Sequence, residues 1–157
     1  MKLETILVPV DFSPSSLEAA STAIDLLRER GSGNVIFLYV VDSIYYDLGW
    51  MSEGILIPRD LVDQSKEKIA KRMKALVTVD DLSGIEAETR VIEGTPYLEI
   101  TRAIEEIKPD LVVMGTHGRR GASHLFLGSV AEKVVRMSSA PVLTVKAEGA
   151  NDSDLEA

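Results

Sequence analysis

The sequence predicts an α/β fold, a parallel sheet with helices on both faces, and three observations carry that prediction. Apolar runs of strand length alternate with amphipathic helical stretches along the chain, the pattern of successive βαβ units. Four of these runs are nearly continuous rather than alternating, as strands buried on both faces should be. The 157 residues make one domain of ordinary size, long enough to bury a core without disulfides or metal staples.

The first run is Ile6-Leu7-Val8-Pro9-Val10. After it Ser13 is placed to cap a helix, Pro14 suits the first helical position, and Leu17, Ala20, Ile24 and Leu27 recur at helical spacing until Gly31 ends the helix. The second run, Val35-Ile36-Phe37-Leu38-Tyr39-Val40-Val41, leads into the one long connection, residues 42–59. There Tyr45, Tyr46 and Trp50 put three of the eight aromatics within six residues. Such a cluster needs cover, either as a flap on its own domain or as a lid or partner surface. A helix over Asp60 to Leu76 follows, with Asp60 and Asp63 near its start and Lys71, Arg72 and Lys74 near its end. That order complements the helix dipole, and the charges read as a solvated face. Ile85 to Ile92 alternates with Glu86, Glu88 and Arg90, which marks an edge strand with a wet face. Thr95-Pro96 opens a third helix, with Tyr97, Ile100, Ile104 and Ile107 on one side and Pro109 beyond its end. Leu111-Val112-Val113-Met114 is the next buried run. A fourth helix from Ser129 to about Met137 turns Val130, Val134 and Met137 inward, and Pro141-Val142-Leu143-Thr144-Val145 closes the series. The predicted domain spans residues 1–146, and residues 147–157 form an acidic tail read as disordered.

Composition removes several function classes. Lys plus Arg is 17 against 25 Asp plus Glu, a net charge of −8. Glu148, Asp152, Asp154 and Glu156 supply half of it, leaving about −4 for the rest. An acidic balance argues against general affinity for nucleic acid or anionic lipid, which need a basic field. The lack of cysteine excludes disulfides, Cys-ligated zinc, iron–sulfur clusters and a cysteine nucleophile. No positively charged leader precedes a long apolar run, and no run approaches the roughly 18 residues of a membrane span. The expectation is a cytoplasmic protein without membrane insertion.

The sharpest functional signal is Gly115-Thr116-His117-Gly118, then nine residues from Arg119 to Leu127, then Gly128-Ser129. It starts at the end of a buried strand and finishes at the start of a helix. Glycine lets backbone amides approach an oxyanion closely, and the unpaired amides of a helix N-terminus favour a phosphate. Ser129 and Glu132 fit a capping box, which would occupy the Ser129 side chain while its amide and that of Val130 face outward. Arg119 and Arg120 in the nine-residue insert can pair with a phosphate or lie on a solvated loop. His117 and His124 are the only histidines, too few and badly spaced for a convincing metal site, and a backbone-contact role suits His117 better than catalysis.

In these segments the chain resembles the universal stress protein family. The resemblance runs from Ile6-Leu7-Val8-Pro9-Val10-Asp11-Phe12-Ser13 through Glu93-Gly94-Thr95-Pro96 and Met114-Gly115-Thr116-His117-Gly118-Arg119 to Gly128-Ser129-Val130 and Pro141-Val142-Leu143. Its glycine pattern is that of the family's ATP-binding branch. The resemblance implies a five-stranded parallel sheet, Rossmann-like and of the adenine nucleotide α-hydrolase-like kind. ATP, with Mg2+, would lie across the carboxyl ends of strands one and four, where open α/β sheets bind ligands. It also implies roles. Pro9, Val10 and Asp11 border the base and ribose, Val40 offers main-chain bonds to adenine, and Met114 and Gly115 floor the ribose. Gly118, Arg119, Gly128, Ser129 and Val130 hold the phosphates, and Thr116, His117, Arg120 and Gly121 complete the candidate set. Asp11 has its own physical case, since a carboxylate accepts bonds from ribose hydroxyls, against a turn-forming role before the first helix.

No lysine follows a glycine, so the P-loop is absent, as are a GxSxG nucleophile elbow and a GxGxxG after the first strand. No general base is evident beside the phosphates, and no residue is assigned as catalytic. The function expected is therefore an ATP-binding regulatory protein of the stress response that acts through protein partners. A slow ATPase or autophosphorylating phosphotransferase is the alternative, and a flavin or AMP carrier a third. Pro141 to Lys146 reads as an apolar edge strand, an invitation to pair with a second copy through the open amides of Leu143 and Val145 or their neighbours.

Overall fold

The computed structural model describes residues 3–42, 59–78, 82–116 and 127–147. Among them the chain runs β1 (Thr5–Pro9), α1 (Pro14–Arg30), β2 (Gly33–Asp42), α2 (Arg59–Thr78), β3 (Ile85–Gly94), α3 (Pro96–Ile107), β4 (Leu111–Gly115), α4 (Ser129–Met137) and β5 (Val142–Val145). The five strands form one sheet in the order β3-β2-β1-β4-β5, every neighbouring pair parallel. The predicted fold class holds. Among the described residues no helix is long and apolar enough to cross a membrane.

Strand alternation divides the core between the two faces. Ile6, Val8, Phe37, Tyr39 and Val113 pack with α1 and α2, whereas Leu7, Ile36, Leu38, Val112 and Met114 pack with α3 and α4. Strands β1, β2 and β4 are thus covered twice, which is why their sequences read as unbroken apolar runs. At the edge, β3 keeps Glu86 and Glu88 exposed, and Arg90 donates to Glu88 at 2.6 Å and to Glu106 at 3.2 Å. Charges of this kind protect an open strand from pairing with another chain.

The helix starts and stops follow local chemistry. Ser13 caps α1, its hydroxyl accepting from the Ser16 amide at 3.3 Å. Gly31, at φ 89°, ends it in the left-handed conformation that spares a side chain. Two inward assignments need correction. Leu17 is 39% exposed because the buried stripe of α1 runs through Ser16, Ala19, Ala20, Ala23 and Leu27. These small residues let the helix lie close to the sheet and leave Leu17 on its flank. Met137 is 51% exposed, since the stripe of α4 centres on Ala131 and Val134 and the last residue falls on its margin.

Main-chain alternation also fixes where the sheet opens. The Val10 amide donates to the Leu38 carbonyl at 2.9 Å, so the even residues of β1 face β2 and the odd ones, Leu7 and Pro9, face β4. Pairing between β1 and β4 runs through Ile6↔Leu111 and Leu7↔Val112, and at the next rung Pro9 has no N–H to give. The strands therefore part above Leu7. Their amino ends are tied instead, where Asp110 Oδ2 accepts from the amides of Glu4 at 2.8 Å and Thr5 at 2.9 Å.

At the other edge, Val112 donates to the Pro141 carbonyl and Thr116 to the Val145 carbonyl, each at 2.9 Å. Residues 141, 143 and 145 are thereby turned toward β4, and Val142 and Thr144 present their main-chain groups outward. Of the open amides expected at Leu143 and Val145 or their neighbours, it is the neighbours, Val142 and Thr144, that face outward. The aromatic cluster Tyr45 to Trp50 and the acidic residues of the tail lie outside the described residues.

Where β4 ends, Gly115 packs onto the first turn of α1. A methyl group there would lie 2.6 Å from Ser15 Oγ, 2.7 Å from the Ser15 carbonyl carbon and 2.8 Å from the Ser16 amide nitrogen. Two of these three atoms are backbone and cannot rotate away. Gly115→Ala should therefore lower unfolding free energy by about 1–3 kcal/mol, the range for overpacking a tight contact, as measured by urea denaturation. A variant as stable as the parent would contradict this packing.

Candidate functional site

The order β3-β2-β1-β4-β5 puts the reversal of chain direction across the sheet between β1 and β4, the place where open α/β sheets leave a crevice at their carboxyl edge. Here the missing rung at Pro9 widens it. Strand β2 runs on to Asp42, four residues past Leu38, which pairs with Pro9. Even residues of β2 face β1, so the N–H and C=O of Val40 point past the end of β1 toward the crevice.

Other predicted residues are brought to the same edge. Val10 and Met114 are each 4% exposed, and their side chains belong to opposite cores, so toward a ligand they offer main chain alone. Thr116 is buried, donates its amide to Val145, and accepts the Gly128 amide at 2.7 Å on its carbonyl. That last bond fastens the start of α4 to the end of β4. Gly128 is itself the N-cap residue of α4, with no side-chain cap, and its carbonyl takes the first helical bond, from Glu132 at 2.9 Å. The predicted capping box is corrected: Ser129 is the first helical residue, one position too late to cap. The amides of Ser129, Val130 and Ala131 precede the first helical bond and carry no helical partner. The starts of α1 and α4 thus both abut the last residues of β4, one through Gly115 and the other through Thr116. His117, Gly118, Arg119, Arg120 and Gly121 lie outside the described residues.

Asp11 is engaged locally. Its Oδ1 accepts from the Ser13 amide at 2.9 Å and from the Ser13 hydroxyl at 2.5 Å, and its own amide donates to Ser16 Oγ at 3.3 Å. The turn-forming role weighed for it is present, and it fixes where the carboxylate stands. Between Asp11 and Ser13 the chain reverses at Phe12, which has φ 63°. A bulky residue in the left-handed region costs about 1–2 kcal/mol. Its ring meets that of Tyr39 with centroids 5.5 Å apart, and the Arg72 guanidinium of α2 lies 3.9 Å from its centroid. An aromatic pair and an exposed cation–π contact contribute about 0.5–1.5 and 0.5–1 kcal/mol, together the size of the strain. Sequence reasoning missed Arg72, because nothing local to α2 announces a partner sixty residues earlier.

A cleft of about 560 Å³ bordered by Lys108, Pro109, Asp110, Ser139, Ala140 and Pro141 lies at the amino ends of β4 and β5. None of the predicted site residues borders it.

Comparison with known proteins agrees with this fold. Universal stress protein MJ0531 of Methanocaldococcus jannaschii is 38% identical over 143 residues, covering 90% of this chain and 81% of that one. The solved structure of MJ0577, a universal stress protein of the same organism, is similar with a TM-score of 0.81 and 26% identity, over 96% of this chain and 100% of that one. A family member from Arabidopsis thaliana with AMP bound, at 20% identity and a TM-score of 0.56 over 93% of each chain, shares the fold. The universal stress protein family matches residues 2–146, and the chain belongs to it.

Proposed function

We propose that this chain is an ATP-binding regulatory protein of the stress response, a domain over residues 1–146 that holds an adenine nucleotide with Mg2+ in the cytoplasm and acts through protein partners. The observation that carries the reading is the bond from Gly128 to the Thr116 carbonyl. It keeps the open amides of Ser129, Val130 and Ala131 beside the end of β4, at the positive end of a helix, where a phosphate is favoured. The glycine loop from Gly115 to Gly128 spans the same edge in sequence. Val40 suits adenine through its main chain, and Pro9, Val10, Met114 and Gly115 supply main-chain surface between the two ends. Asp11 is the group for the ribose hydroxyls, and Arg119 and Arg120 are the cations for the phosphates. Magnesium takes its ligands largely from phosphate oxygens and water, so it needs no dedicated protein cage. When bound, it screens the phosphate charge. The chain's own residues hold and orient the nucleotide, and none is assigned to move a proton.

The test is calorimetry with Mg-ATP on Gly118→Val and Gly128→Val, together with the mass of any nucleotide released from the purified protein. Gly128 has φ −58° and ψ 150°, angles open to valine, so substitution there adds bulk without backbone strain. Binding should be lost in both variants while thermal unfolding stays cooperative. Unchanged affinity in both overturns the phosphate assignment, and a released flavin overturns the adenine one.

The same reading includes a homodimer through β5. Unlike β3, this edge presents Val142, Leu143, Thr144 and Val145 without a charge, and Leu143 and Leu17 are each 39% exposed. A second copy pairing antiparallel would take the outward groups of Val142 and Thr144 and cover these side chains. Thr144→Pro removes an outward donor and spares the bonds to β4. By light scattering at micromolar concentration it should be a folded monomer where the parent is a dimer, and Trp50→Ala should remain dimeric. A monomeric parent, or a dimer lost in Trp50→Ala and kept in Thr144→Pro, defeats this interface.

A further inference from the structure

We propose that Arg72 is a positioning residue for the ribose end of the site, holding Asp11 in place by stacking on Phe12 from α2, a helix sixty residues further along the chain. The proposal rests on the nucleotide reading above and names a determinant of its specificity. Three facts meet at Phe12. It is one of two non-glycine residues with positive φ among the described residues, and the other, Lys108, sits in an ordinary helix C-cap. The reversal it makes is what lets Asp11 Oδ1 reach both the amide and the hydroxyl of Ser13. Its ring is covered by the Arg72 guanidinium at 3.9 Å.

The position of Arg72 is set by its neighbour. Met73 is wholly buried, and Ile69, Leu76 and Val77 pack partly buried against the same core. The seating of α2 on the sheet therefore brings the exposed Arg72 side chain within reach of the ring. Without that cover, Phe12 loses one of the two contacts that offset its strained backbone and keeps only the Tyr39 ring, and relaxation toward negative φ would draw Ser13 off Asp11 and loosen that hold on the carboxylate. A strained residue beside a binding group, held from a distant element, is the arrangement expected where geometry is part of recognition.

The experiment compares ATP with 2′,3′-dideoxy-ATP by calorimetry on the parent, Arg72→Ala, Arg72→Lys and Asp11→Asn. Losing charge-assisted bonds to the ribose hydroxyls should weaken the parent by about tenfold or more for the dideoxy nucleotide. In Arg72→Ala that preference should fall most of the way to one, through weaker ATP binding with the dideoxy affinity almost unchanged. Arg72→Lys, which keeps a cation over the ring, should retain much of it, and Asp11→Asn should abolish it. A merely structural arginine would shift thermal stability and leave the ratio intact, so a full ratio in Arg72→Ala overturns the proposal. A parent that binds both nucleotides equally overturns it and leaves the nucleotide reading standing. A parent that binds neither overturns both.

Discussion

A hydrogen bond that cannot form organises this molecule. β1 is the central strand, and a proline in such a strand is ordinarily excluded because it breaks a ladder. Here Pro9 stands at the carboxyl end on the side facing β4, where the break is useful. Below it the β1–β4 ladder is intact and the Asp110 carboxylate ties the amino ends together. Above it the β1–β4 pairing ends, and β2 runs on four residues past the partner of Pro9. Had residue 9 carried an N–H, the next rung would draw β1 and β4 together where the crevice now begins.

The surroundings of that gap are assembled mostly from main chain. Gly115 admits the first turn of α1, the Thr116 carbonyl anchors Gly128, and Val40 turns its amide and carbonyl outward by strand alternation alone. Such a site depends less on which side chains are present than on where glycines and strand ends fall. Exchange of Val10 for another β-branched residue would leave the crevice as it is, whereas a methyl group on Gly115 would push on α1. Asp11 is the exception, since the ribose role proposed for it turns on one carboxylate, which accepts from the hydroxyl of Ser13 and in the proposal draws further support, through Phe12, from α2.

This dependence explains what could be read from the sequence. β1, β2 and β4 were legible because double coverage leaves no polar position, β5 as a short apolar run although it is a half-exposed edge, and β3 because its glutamates alternate. The caps of α1 were legible because Ser13, Pro14 and Gly31 each answer a local need. The inward faces of α1 and α4 were less so. Hydrophobicity alone favours Leu17 and Met137, but close packing on a sheet favours the smaller Ser16, Ala19, Ala23 and Ala131. Ser129 with Glu132 matches a capping box in letters, and the carbonyl of Thr116 decides otherwise by holding Gly128 at the cap. In the site, the glycine spacing was local and visible. The stack of Arg72 on Phe12 was not, because it joins residues that only the fold brings together.

The two edges of the sheet carry the asymmetry from structure toward function. At β3, Glu86, Glu88 and Arg90 alternate along a strand whose outer side is solvated, and Lys66 of α2 reaches Glu93 at 2.6 Å. Exposed pairs like this contribute at most about 1 kcal/mol, so their effect there is to discourage pairing more than to stabilise. At β5 no such charge appears, although the strand has only four residues and gains little from its single neighbour. The bond from the Thr116 amide to the Val145 carbonyl links that edge to the residue that anchors α4. Anything that orders β5 therefore bears, through the one residue Thr116, on the amides proposed to meet the phosphates. In the proposed reading, occupancy of the crevice and pairing of the edge would share Thr116, the kind of shared element a regulatory domain needs if its ligand is to be felt at its surface.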